Sequence, residues 1–230
     1  MGIRLSIIIP VFNEAEGLPG LLDHLASLCG CDSEVIVVDG GSEDGSRQAA
    51  SRAGVQVICS ERGRARQMNA GAAVAQGDIL LFLHADTALP SSAGKAIEIA
   101  IRRDGRAHEY AWGRFDVCIA GRPFMLRVVA GMMNWRSRLS GIATGDQAMF
   151  MTRRAFESVG GFPDQSLMED IELSRRLLAL SRPICLVDRV VTSGRRWEMH
   201  GVWRTIWLMW RLRWLYWCGV PAGELAKLYR

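Results

Sequence analysis

An apolar run, Ile79 to Leu83, ends in His84-Ala85-Asp86 near the middle of a 230-residue chain. An unbroken apolar run of this length reads as a strand buried on both faces, as in a parallel sheet. Ligands of such sheets lie beyond the carboxyl ends of the strands. Asp86 therefore stands where a hard divalent cation and a phosphate would be held. A lone Asp is equally at home in a turn or at a helix cap. Two further apolar runs also end in polar clusters, and they shift the balance towards a site. One enters Pro10-Val11-Phe12-Asn13-Glu14, the other Asp39-Gly40-Gly41-Ser42-Glu43-Asp44-Gly45. The glycines admit backbone close to a ligand, and a helix starting after Gly41 suits an anion. A buried Asp39 could accept a hydrogen bond from a nucleobase ring N–H; a cap or turn role is the alternative. Arg62, Arg64 and Arg66 alternate ahead of Asn69. Their guanidinium forks match phosphate oxygens, and a solvated charged loop is the other reading.

The elements that must position these residues are legible in the first hundred positions. Strands are expected at Leu5 to Ile9, Glu34 to Asp39, Val55 to Cys59 and Ile79 to Leu83. Helices are expected at Glu14 to Leu28, at Ser42 to Ala53 with Ser42 as its cap, and at Arg64 to Ala75. Strands alternating with helices imply right-handed βαβ units and an α/β fold with a mostly parallel sheet. The second hundred is less regular. Strands are expected at Ala111 to Ile119, Gln147 to Met151, Ile184 to Val187 and Val190 to Ser193. Helices are expected at Pro123 to Ser137, Arg154 to Val159 and Glu169 to Leu180.

The bulk composition narrows the class. Hydrophobic residues are 49%, enough for a sizeable core, and the net charge of +4 does not by itself argue for nucleic acid. The six cysteines are scattered apart from Cys29-Gly-Cys31, and no zinc spacing occurs. Reduced thiols are expected. No signal peptide and no apolar span of about 20 residues is evident, which predicts a cytoplasmic protein.

In this order the clusters resemble the family 2 glycosyltransferases of GT-A fold, in particular short bacterial members named for arsenosugar biosynthesis. The resemblance rests on Pro10 to Glu14, Asp39 to Asp44, Gly63 with Asn69 and Gly71, Gly77, and the acid of His84-Ala85-Asp86. Thr144-Gly145-Asp146-Gln147, Gly160-Gly161-Phe162 and Glu169-Asp170 also fit, and the match covers residues 4 to 197. The resemblance implies a GT-A domain over residues 1–198 that binds a nucleotide sugar, UDP-linked or GDP-linked. Pro10, Phe12, Glu14 and Asp39 would hold base and ribose beside Gly41 and Asn69. Arg66 would contact phosphate, and Asp86 would ligate Mg²⁺ or Mn²⁺. Asp170 would be the catalytic base, with Glu169 and Asp146 next in line. Arg196 and Trp197 match a pair that lies near the diphosphate in some relatives; a surface loop is the other reading. The family's metal motif usually has two acids, and here His84 replaces the first. A sugar nucleotidyltransferase would want a Gly-rich loop where Val11-Phe12-Asn13-Glu14 stands. A non-catalytic membrane-bound adaptor of the same fold is the remaining alternative.

The tail, residues 199–230, carries Trp203, Trp207, Trp210, Trp214 and Trp217 at steps of four, three, four and three. On a helix these form one indole stripe, with Arg204 and Arg211 on one side and Arg213 on the other. Leu208, Leu212 and Leu215 face the opposite way. Indoles favour the membrane–water interface and guanidinium groups favour anionic headgroups. An amphipathic helix with one face on the domain and the other on a membrane is expected; burial in the protein or a dimer is the alternative.

Overall fold

A computed structural model describes residues 4–28, 33–103 and 108–229. Cys29 and Cys31 lie outside the described residues. Among the described residues an eight-stranded sheet forms, in the order β3-β2-β1-β4-β7-β6-β8-β5. The strands are β1 (Leu5–Val11), β2 (Ser33–Asp39), β3 (Gln56–Cys59), β4 (Ile79–Phe82), β5 (Thr87–Ala88), β6 (Trp112–Ala120), β7 (Met149–Thr152) and β8 (Ile184–Ser193). The β1–β4 half is parallel, while β7 runs antiparallel to β4 and β6, and β8 is parallel to β6. The central position of β4 explains its composition. Flanked by β1 and β7 along its edges, it packs Ile79 and Leu81 into the apolar cluster on one face and Leu80 and Phe82 into that on the other, and all four are buried.

Helices cover both faces: α1 (Leu18–Leu28), α2 (Ser46–Arg52), α3 (Arg64–Val74), α4 (Ala93–Arg103), α5 (Met125–Ser140), α6 (Arg153–Ser158) and α7 (Glu169–Leu177). The small-residue helix α3 lies close on the sheet. A Cβ at Gly71 would come within 2.4 Å of Ile8 Cγ2 and 2.9 Å of Val38 Cγ2, so only glycine fits there. A short helix α8 (Arg195–His200) leads into α9 (Val202–Trp217) and α10 (Ala222–Tyr229). These last two pack on the start of α7 through buried Met168, Leu212 and Leu225.

The structure corrects several expectations. Ser42 does not cap α2, which begins at Ser46 after Gly45 in a left-handed conformation (φ 90°). Ser42 Oγ instead accepts the Asn13 N–H at 2.9 Å, so the segment ties two loops together. The helix expected from Glu14 starts at Leu18, because the Glu14 and Ala15 N–H groups are taken by Ser46 and Asp44. Two expected strands are one, β8, whose pairing with β6 slips at Phe115/Asp116. Helices α4 and α10 were not anticipated. Helix α5 runs three residues past Ser137, and its outward face is apolar: Phe124, Val128, Met132, Trp135 and Leu139 are all exposed.

Candidate active site

The ends of β1, β2 and β4 open on one edge, as parallel register requires: Val11 lies level with Asp39, and Ile8 with Phe82. A cleft of about 310 Å³ forms there, lined by Pro10, Phe12, Glu14, Arg62, Arg64, Gln67, His84 and Asp86 among others. Such a volume is at the lower end for small-ligand clefts. Its floor is tied by Gln67, whose buried amide donates to the Val11 and Val38 carbonyls at 2.8 Å each. The Arg62 guanidinium lies 3.8 Å from the Phe12 ring centroid, and Arg195 pairs with Glu14 at 3.5 Å.

Asp39 is buried and accepts the Gly41 and Ser42 N–H groups at 3.2 Å, so its carboxylate shapes its own turn at the cleft edge. The patch of arginines divides. Arg66 turns outward and grips both oxygens of Asp164 at 2.8 and 2.9 Å, with Glu61 as a second partner. It does not line the cleft, whereas Arg62 and Arg64 do. Asn69 bridges the Phe162 backbone, donating to its carbonyl at 2.8 Å and accepting its N–H at 2.9 Å. It thereby fixes the Gly160-Gly161-Phe162 turn to α3. Arg196 stacks on Tyr229 at 3.8 Å and donates to its carbonyl at 2.7 Å. Trp197 packs against the main apolar cluster. These two residues anchor α10 and the core.

Asp86 is exposed in the cleft, and its carboxylate has one long partner, the Thr87 hydroxyl at 3.3 Å. Among the described residues no cluster of three or more His, Cys, Asp or Glu side chains could enclose a metal. A hard cation of the Mg²⁺ or Mn²⁺ type needs no such cage when substrate phosphates and water complete its shell. The open oxygens of Asp86 fit that arrangement.

The acidic group lies next to this cleft. His84 Nδ1 sits 3.2 Å from Asp146 Oδ1. The adjoining Gly145 N–H donates to Asp170 Oδ2 at 2.8 Å, and the Ile171 N–H donates to Asp170 Oδ1 at 2.7 Å. A Cβ at position 145 would lie 2.4 Å from His84 Nε2, so any larger residue there must displace the imidazole from its place beside Asp146. Helix α7 begins with Glu169 and Asp170, set by Met168 in the left-handed region (φ 64°). Among the described residues the other non-glycine positive φ angles belong to Asn13 (55°) and Ala148 (47°). Asn13 lies between the cleft residues Phe12 and Glu14, and Met168 directly precedes Glu169 and Asp170; strained backbone of this kind clusters at functional sites.

The charges are graded. Burial raises the Asp170 pKa against the pull of its two backbone N–H partners, and Asp146 adds to the rise. Burial and the Asp170 charge raise Glu169, with Arg64 opposing. Desolvation also works to raise Asp146, but the hydrogen bond and charge of His84, with Arg64 and Arg136, hold it below the usual carboxylate range. The two neighbouring carboxylates are thus pushed apart, Asp146 downwards and Asp170 upwards. Desolvation opposes the charge on Arg64, yet Glu169, Tyr229, Asp146 and Asp170 together raise its pKa.

Sequence reasoning missed the His84–Asp146 link, the floor role of Gln67, and Arg136. Nothing in the local pattern separates Arg136 from the surface arginines of the same helix.

The profile of glycosyl transferase family 2 matches residues 6–159. An undecaprenyl-phosphate 4-deoxy-4-formamido-L-arabinose transferase of Aeromonas hydrophila is 38% identical over 97 residues, covering 37% of this chain and 30% of that protein. A probable glycosyltransferase of Bacillus subtilis, YdaM, is 24% identical over 232 residues, covering 89% of this chain and 54% of the relative. The chain thus spans about a third to a half of these relatives' lengths. Among solved structures, the mannosyltransferase PcManGT of Pyrobaculum calidifontis, in complex with GDP-Man and Mn2+, superimposes with a TM-score of 0.62 at 23% identity, over 83% of this chain and 57% of that one. S. aureus TarS with UDP-GlcNAc gives a TM-score of 0.66 at 18% identity, over 83% and 58%. Both show the GT-A fold.

Proposed function

The chain belongs to glycosyl transferase family 2, and on that premise we propose that it moves a sugar from a nucleoside-diphosphate donor to an acceptor, with inversion and divalent-metal dependence. UDP is the favoured donor nucleotide and GDP the second. The observation that carries this reading is the chain of contacts from His84 to Asp146, through Gly145, to Asp170. It ties a carboxylate of raised pKa to the rim of the cleft that holds Asp86. The bond between the anomeric carbon and the diphosphate breaks, and a bond to the acceptor oxygen forms. Asp170 takes the proton that the acceptor gives up. Arg62 and Arg64 face the cleft where diphosphate charge grows, and fixed cations stabilise that charge. A bound Mg²⁺ or Mn²⁺ at Asp86 would add Lewis-acid stabilisation of the leaving group.

The direct test is nucleotide binding. Asp86→Ala is expected to weaken Mn²⁺-dependent UDP or GDP binding at least tenfold in calorimetry, with the circular dichroism spectrum unchanged. Equal affinity in variant and wild type would remove Asp86 from the metal site.

A peripheral position on an anionic membrane belongs to the same proposal. Trp203, Trp207, Trp210, Trp214 and Trp217 are all at least 60% exposed on α9, while Leu212 behind them is fully buried. Arg211 lies over the Trp207 ring at 5.3 Å, and Arg204 and Arg213 add positive charge beside the stripe. Among the described residues no helix is long and apolar enough to cross a membrane. The face suits insertion of indoles with guanidinium groups at headgroup level. The protein is expected to pellet with anionic liposomes, and salt should weaken this in part through screening. Replacing Trp207, Trp210 and Trp214 by Ser should release it with the fold retained, since these side chains face outward. A wild type that stays in the supernatant at every salt concentration removes the membrane claim and leaves the transferase claim standing.

A further inference from the structure

Met168 occupies the cap position of α7, immediately before Glu169 and Asp170. Neither usual reason for a residue at a cap applies to it. Helix caps favour Ser, Thr, Asp or Asn, whose oxygen accepts a helix N–H, and Met168 makes no such side-chain bond. Its φ of 64° is one that glycine adopts freely and a residue with a Cβ adopts at a cost. The position forgoes a cap and bears an unfavourable backbone. What the side chain supplies instead is burial, in an apolar cluster apart from the two that fill the faces of the sheet.

That cluster is built by the C-terminal hairpin. Leu212 of α9 and Leu225 of α10 are fully buried in it with Met168, and Leu167 and Ile171 pack at its edge. Gln165 adds a polar tie, donating to the Tyr216 hydroxyl at 3.4 Å. The hairpin is held in turn at its far end, where Arg196 stacks on Tyr229 and donates to its carbonyl at 2.7 Å.

The loop over residues 163–168 therefore has two anchors. Its start is fixed to α3, since Arg66 grips Asp164 and Asn69 brackets the Phe162 backbone. Its end is fixed by α9 and α10. Asp170 lies two residues beyond that second anchor, and its two oxygens are aligned by the Gly145 and Ile171 N–H groups. A backbone held in a sparsely populated region keeps that shape only while its surroundings enforce it. Without the hairpin, nothing in the cluster holds Met168 at a positive φ, and its relaxation would redirect the first turn of α7.

We infer that the α9–α10 hairpin is a clamp that positions the catalytic carboxylate, with Leu212 and Leu225 acting through Met168 on Asp170. The role of Asp170 in this rests on the glycosyltransferase reading. These three apolar side chains are positioning residues; none of them lines the donor cleft. Helix α9 turns its indole stripe outward and Leu212 inward. The surface that the stripe engages thus lies one helix thickness, about 10 Å, from the loop that sets the base.

Amide hydrogen exchange of the full chain, followed residue by residue by NMR, tests the clamp without any donor. Leu225→Ala leaves a void in the cluster. It is expected to speed exchange of the Gly145 and Ile171 amides at least tenfold. The Leu83 amide, bonded to the Ile8 carbonyl at 3.0 Å in the sheet, should keep its wild-type rate, because opening is local. Leu212→Ala should act alike, and Leu225→Met, which nearly conserves volume, should restore protection. In parallel, release of UDP from UDP-GlcNAc and of GDP from GDP-mannose is measured with Mn²⁺, water taking the acceptor's place. For the donor that wild type cleaves, Leu225→Ala should lower kcat at least tenfold with UDP or GDP affinity unchanged, and Leu225→Met should recover it. The clamp is overturned if the Gly145 and Ile171 amides keep their wild-type rates in both alanine variants. It is overturned too if Leu83 speeds up in step with them, for the hairpin then serves the fold at large. Unchanged kcat in a variant whose amides have opened locally separates the hairpin from the base and overturns it as well. A wild type that binds and cleaves neither donor counts against the transferase reading, and exchange still decides whether the hairpin holds the loop.

Discussion

Asp170→Asn is expected to slow sugar transfer by about 10²- to 10⁴-fold, the usual size of a general-base contribution. The substitution keeps the side-chain shape, but its single carbonyl oxygen can accept only one of the Gly145 and Ile171 N–H groups, which reach the two different oxygens of Asp170. It removes the proton acceptor. Donor affinity should stay within a few-fold of wild type, because the cleft is lined from the ends of β1 and β4 and the start of α3, and Asp170 is not among its lining residues. The pH profile supplies a second readout. Burial raises the pKa of Asp170, and that of Glu169 rises with it. The base acts only when deprotonated, so wild-type kcat should fall as pH drops through a value above the ordinary carboxylate pKa of about 4. The variant should lose that limb of the profile. Near-normal turnover in Asp170→Asn would place the base at Glu169 or Asp146.

The largest effect on stability is expected at Asp116, which no reading of the sequence singled out. Arg114 is fully buried on β6, and its guanidinium meets the Asp116 carboxylate. Its Nε donates to Ser137 Oγ and its Nη2 to the Asn134 carbonyl, each at 3.1 Å. Arg138 reaches the other Asp116 oxygen at 2.8 Å. The cluster fastens α5 to β6. Asp116→Ala leaves a buried guanidinium without its counter-ion and should cost about 3–5 kcal/mol. The double change Arg114→Met with Asp116→Ala should recover much of this, since it removes both charges together. Urea unfolding of the four proteins measures the coupling. A loss below about 1 kcal/mol in the single variant would show that the pair is not a structural fastener.

What the sequence determined by itself is the half of the molecule in which neighbours in the chain are neighbours in space. The apolar runs at Leu5, Glu34 and Ile79 are too long and too continuous for one-sided strands. Their polar ends at Glu14, Asp39 and Asp86 therefore had to share one edge once the βαβ connections were right-handed. The indole stripe of α9 was legible for the same local reason, because a step of three or four residues is a property of the helix alone.

Tertiary structure decided what depends on partners distant in the chain. Arg62, Arg64 and Arg66 alternate identically in sequence. Yet Asp164, 98 residues beyond Arg66, draws that one outward, while Arg64 lines the cleft and its charge is favoured by Glu169 and Asp170. Asn69 looked like a ligand contact and is a brace, because Phe162 lies beside it. His84 stood in a familiar acid's place, and only the fold brought Asp146 within 3.2 Å of it. Arg136 is one arginine among several on α5, and only the fold buries its Nε and Nη2 without a hydrogen-bond partner. Local periodicity specifies which face a residue occupies. Hydrogen bonding and desolvation between faces far apart in the chain specify what that residue can do.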